Sequence, residues 1–187
     1  MKNEKAPAVL RKIIEAFSKG DVFGLRGIAN QAIEEAAISN DKDLAKLALL
    51  AYCTHKMASK EHIVRHDRWK EIKHDILFDL KKAEKSLKAG NEEESRKSLG
   101  AAIDSVKETD EKMGNYIQNL LEKAKVKYAS DAYSFGLALG QAAELTGANK
   151  KDLLRYIGVT RIADRETVTM GIAKRLSMLK RKMGEKK

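Results

Sequence analysis

Cysteine, proline and aromatic residues are scarce in these 187 residues, and each shortage removes a class of structure. With Cys53 the only cysteine, no internal disulfide can form and a zinc site built on cysteine pairs is excluded. With Pro7 the only proline, no ring blocks helix formation anywhere beyond the first residues. Aromatics make up 5% of a chain that is 43% apolar, so the core is built mainly from Ala, Leu and Ile. β-Branched residues are scattered rather than gathered in runs, which argues against strands. The longest wholly apolar run, residues 47–53, is too short to cross a bilayer. The first seventeen residues hold no apolar core of signal-peptide length, and with the lone cysteine this fits a reducing cytoplasm and no membrane partner.

What remains is rich in Ala, Leu, Lys and Glu, the composition of an all-α protein. Its apolar residues recur at three and four, the helical period. Val9, Leu10, Ile13, Ile14 and Phe17 share one face, and Gly20 stops that helix. Asp21 caps a second helix over 22–39, and Asp41 or Asp43 caps a third. From Leu44 the stripe runs on through Trp69, Ile72, Ile76, Leu80, Ala83 and Leu87. His62 and Arg65 interrupt it, which favours a break near Ser59 over one continuous helix.

Gly90 and Asn91 then reverse the chain into a second stripe of Leu99, Ile103, Val106, Met113, Ile117, Leu120 and Ala124. Residues 59–89 and 91–128 are expected to form a long antiparallel helical hairpin with arms of about 45 to 55 Å. An apolar stripe of that length must meet either a second copy of the chain or the N-terminal helices, so a homo-oligomer through the hairpin is expected. Ser130 or Asp131 is expected to cap the following helix, with Gly136 and Gly140 allowing a tight crossing. Thr167 or Thr169 should begin a last one. The chain divides into a helical bundle over 1–129 and a small basic module over 130–187.

The charge supports that division. The net charge is +10, and from Asn149 onward twelve Lys/Arg face four Asp/Glu, which leaves only +2 for the first 148 residues. A surplus so placed points to a polyanionic partner, unless the end of the chain is merely a solvated tail. Residues 137–158 have the outline of a helix-turn-helix. Ala143 lies four positions before Gly147, where a large side chain would push two helices apart, and Leu153 occupies the apolar anchor six positions after the glycine. The AELTG segment resembles the turn of mercury-resistance-type regulators. The resemblance implies a DNA-reading second helix presenting Lys150, Lys151, Asp152 and Arg155, with nucleic acid, above all duplex DNA, as the partner. Two departures weigh against it. Thr146 stands where an apolar residue is usual, and Gly158 is expected to stop the second helix after about two turns. An ordinary helical corner capped by Asn149 remains the alternative. If the partner is a polyanion, Lys150, Lys151, Arg155, Arg161, Arg165, Lys174 and Arg175 are the expected phosphate and base contacts.

Other constellations compete. His55, His62, His66 and His74 fall within twenty residues, and His62 with His66 has a spacing that can hold a metal. Glu71-x-x-His74 matches the ligand spacing of ferritin-like dimetal proteins, but those need a second such motif and the chain has none, so neither metal nor cofactor is expected. Arg68 and His74 fit the loose pattern of HEPN-type ribonucleases, a resemblance that implies cleavage of the RNA backbone across a dimer cleft. On a helix, however, the two side chains point roughly 120° apart. Residues 153–166, LLRYIGVTRIADRE, resemble an uncharacterised group of archaeal helical proteins, which implies an archaeal origin and no activity. The sequence therefore leads to a non-enzymatic nucleic-acid-binding protein, with a helical assembly module and a ribonuclease as alternatives.

Overall fold

The computed structural model describes residues 5–112 and 119–160, without the side chains of 110–112. Among these residues there are nine helices and no strand, an all-α fold. The first two are α1 (Lys5–Lys19) and α2 (Val22–Ser39), joined at Gly20, whose φ of 72° is the left-handed turn that glycine supplies without strain. Asp21 caps α2, its Oδ1 accepting from the Gly24 N–H at 2.8 Å. Asp41 caps α3 (Lys42–Ala58), accepting from the N–H groups of Asp43 and Leu44.

Helix α3 is the axis of the molecule. Leu44, Ala45, Leu47, Ala48, Leu49, Leu50, Cys53 and Met57 are all buried and between them cover most of the circumference of the helix, with Lys46 left at the surface. A helix apolar round most of its circumference belongs in a core. It packs against α1 and α2 on one side and against the later helices on the others.

The chain does break near Ser59, and the Ser59 hydroxyl turns back to the Lys56 carbonyl at 3.0 Å. A short helix, α4 (Glu61–Val64), follows, and a second break covers 65–68 before α5 (Trp69–Lys88) begins. Ile63 is buried while His62 and Arg65 stay at the surface, so the polar interruptions in the stripe are resolved by bending the backbone. Asn91 then caps α6 (Glu92–Lys112), accepting from Glu94 N–H at 3.1 Å. Helices α5 and α6 lie side by side, with Lys82 paired to Glu94. The described helices are 20 and 21 residues long, about 30 Å each, which is shorter than the arms read from the sequence. Their inward residues Ile76, Leu80, Ala83, Leu99, Ala102 and Val106 are covered by neighbouring helices, α1 against α5 and α3 against α6. Of the two ways to cover the stripe, packing on the N-terminal helices accounts for these residues.

Helix α7 (Leu120–Ser134) corrects another expectation. It runs straight through Ser130 and Asp131, neither of which starts a helix. Buried Ala124, Tyr128, Ala129 and Ala132 hold this stretch against α2 and α3, and packing overrides the capping preference of Asp131. The helix ends instead at Gly136, whose φ is 98°. The division after residue 129 falls inside α7. Helix α8 (Leu139–Thr146) follows, and α9 (Lys150–Thr160) packs on α7 and α8. A Cβ at Gly140 would meet nothing within 4 Å, so no tight helix crossing depends on that glycine. Gly158 does not stop α9, which continues to Thr160. A last helix from Thr167 or Thr169 lies outside the described residues.

Candidate nucleic-acid interface

The corner between α8 and α9 is built from its backbone outward. Gly147 takes a φ of 71°, and the Ala148 N–H donates to the Ala143 carbonyl at 3.0 Å, closing α8. Asn149 opens α9 by accepting from the N–H groups of Lys151 at 2.8 Å and Asp152 at 3.4 Å. Ala143, Leu145, Leu153 and Ile157 are buried between the two helices and the body. Thr146, the polar departure from the expected pattern, is also buried. Its hydroxyl donates to the Ala142 carbonyl at 3.1 Å, so it is satisfied within its own helix. Lys42 fastens α8 to α3 through Glu144 at 2.8 Å, and this lysine holds the Glu144 carboxyl below its ordinary value.

With Leu153 and Ile157 turned inward, Lys150, Lys151 and Arg155 face solvent. Arg155 is 80% exposed and only loosely paired with Asp152, at 3.7 Å. Helix α9 is eleven residues long, about 16 Å, enough to lie along a groove. Leu154, Tyr156 and Val159 are exposed on the same helix. Arg161, Arg165, Lys174 and Arg175 lie outside the described residues.

Beside this corner is a group that sequence reasoning passed over. The half-buried Tyr52 of α3 meets the buried Tyr128 of α7 edge to face, with ring centres 5.2 Å apart. Lys56 and Lys127 each place Nζ 5.5 Å from the centre of the Tyr52 ring, and Lys127 stands 4.4 Å from that of Tyr128. Asp131 accepts from Lys127 at 2.6 Å. Arg26 on α2 is close enough to act electrostatically on Tyr52, His55 and Tyr128, and Tyr156 on α9 acts on Tyr52. Burial pushes both tyrosine hydroxyls above their ordinary range. The one legible sign was Lys56 four positions after Tyr52, a spacing shared by countless surface helices.

The remaining candidates do not converge. Arg68 lines a cavity of about 80 Å³ with Glu71, Asp75, Ser105 and Thr109, and its Nε donates to Glu71 at 3.2 Å. His74 is not part of that lining and sits exposed beside Asp75 at 3.3 Å. Among the described residues no three His, Cys, Asp or Glu side chains are placed to hold a metal ion. No helix among them is long and apolar enough to cross a membrane.

The fold thus defines the class, an all-helical protein organised round one buried helix. No family model, curated protein or solved structure matches the chain.

Proposed function

We propose that the protein binds nucleic acid, with duplex DNA as the preferred form, through α9 and the basic residues that follow it. The observation that carries this reading is the division of α9 into two faces. Leu153 and Ile157 seat it on the body, while Lys150, Lys151 and Arg155 face solvent at the start of the stretch that holds +8 of the net charge. In this reading the lysines neutralise phosphates and Arg155 reaches a base edge. Arg161, Arg165, Lys174 and Arg175 add phosphate contacts. No residue is assigned a catalytic role. Fluorescence anisotropy with a 30-base-pair duplex tests the reading. Binding should weaken linearly on a logarithmic salt scale, and replacing Lys150 and Lys151 together by Ala should make the slope shallower by about two.

A second reading is favoured by Leu154 and Val159, apolar and exposed on the same helix. Here α9 meets another protein chain and the protein is an assembly module. Light scattering on the full chain separates the two. Leu154→Glu with Val159→Glu lowers the subunit count if α9 is an assembly surface, and leaves it unchanged if α9 serves nucleic acid alone.

A further inference from the structure

A serine or threonine buried within a helix can return its hydroxyl to the carbonyl one turn back, and this protein follows that habit. Thr54 donates to the Leu50 carbonyl, Ser98 to Glu94, Thr109 to Ser105 and Thr146 to Ala142, at 2.7 to 3.1 Å. Ser134 donates to Asp131, three positions back. Among the described residues the exceptions are Ser95 and Ser130, whose buried hydroxyls meet no partner. Ser95, on α6, is 1% exposed and lines a cavity of about 20 Å³ whose lining residues come from α1, α3, α5 and α6. Part of the lining is apolar, with Leu47 and Leu99, and part is charged, with Asp43, Glu92 and Arg96. Arg96 donates to Asp43 at 3.2 Å and to Glu92 at 3.3 Å. A hydroxyl buried with its hydrogen bond unmade is destabilising, and here the space beside it is of a size to hold the missing partner.

We propose that this cavity binds one ordered water molecule, which accepts from the Ser95 hydroxyl and donates to the Asp43 carboxylate. A buried water needs roughly 10–15 Å³ and two to four polar partners, so the cavity takes one water and nothing larger. A wholly apolar cavity stays dry, and what separates this one from that case is Ser95 together with the charged groups beside it. A carboxylate oxygen carries more than one lone pair, so Asp43 can accept from the water while it accepts from Arg96. The water thereby joins the first turn of α6 to the first turn of α3, next to the Arg96–Asp43 pair, and satisfies Ser95 where the back-bond to its own helix does not.

The test uses the full chain and the variant Ser95→Ala, which keeps the helix because alanine is its best former. A high-resolution crystal structure of the natural protein is expected to show one water within hydrogen-bond distance of Ser95 Oγ and Asp43. NMR in solution is expected to show a long-lived water in contact with the Ser95 side-chain protons. In crystals of Ser95→Ala the water is expected to be lost or to fall well below full occupancy. A dry cavity in the natural protein, with the Ser95 hydroxyl turned back to the Asn91 carbonyl, overturns the proposal. A water that stays at full occupancy in Ser95→Ala overturns it as well, because Ser95 is then not what holds it.

Discussion

His55 Nδ1 donates to the Val22 carbonyl at 2.8 Å, tying the last turn of α3 to the first turn of α2. The ring is buried, and that burial, reinforced by the charges of Lys56 and Arg26, holds its pKa below the ordinary 6.5 despite the opposing bond to Val22. The unfolded chain therefore takes up a proton at a higher pH than the folded one. The stability contributed by neutral His55 is complete above about pH 7 and declines as the pH falls through 6.5 toward the lower folded value. Thermal melts between pH 8 and pH 5 are expected to show this fall, and His55→Gln is expected to flatten it.

The dominance of α3 is tested through Leu50, which is 1% exposed at the centre of the bundle. Leu50→Ala should cost about 2 to 5 kcal/mol in urea unfolding, as cavity-forming core substitutions do. The exposed Phe23, changed to Ser, should cost less than about 0.5 kcal/mol.

At the corner, Gly147→Ala forces an alanine into a φ of 71°, although the nearest side-chain atom, Lys125 Cε, leaves room for the methyl. A loss of about 1 kcal/mol is expected from backbone strain alone. Asn149→Ala removes the cap of α9 and should cost a similar amount, about 1 kcal/mol, again read by urea unfolding.

Arg155 and the neighbouring lysines should behave differently toward sequence. Arg155→Ala is expected to cost about 1 to 3 kcal/mol on a preferred duplex and little on others. Lys150→Ala is expected to weaken every duplex alike. Competition binding against duplexes selected from a random pool measures both.

How much of this was legible depends on the distance over which each feature is written. Caps at Asp21, Asn91 and Asn149 are local and were read from a short polar residue at a helix start, while Asp41 and Asp43 were left as alternatives and the cap is Asp41. The break near Ser59 was legible because His62 and Arg65 cannot share a buried stripe. The helix through Ser130 and Asp131 was not, since what holds it is Ala129 and Ala132 packed on helices nearly a hundred residues earlier. Gly158 misled in the same way, because a glycine inside a helix is tolerated where Leu153 and Ile157 already anchor that helix. Ala143, Gly147 and Leu153 marked the corner by spacing alone. The Tyr52 group stayed hidden because Tyr52 and Lys56 meet Lys127 and Tyr128 only after α3 and α7 have packed.

The most direct measurement is an anisotropy titration of the full chain with duplex DNA from 50 to 300 mM salt. Saturable binding at 50 mM that weakens steeply along the series, with a logarithmic slope of about −3 or steeper, is the predicted result. The absence of binding to any duplex at 50 mM would contradict the account.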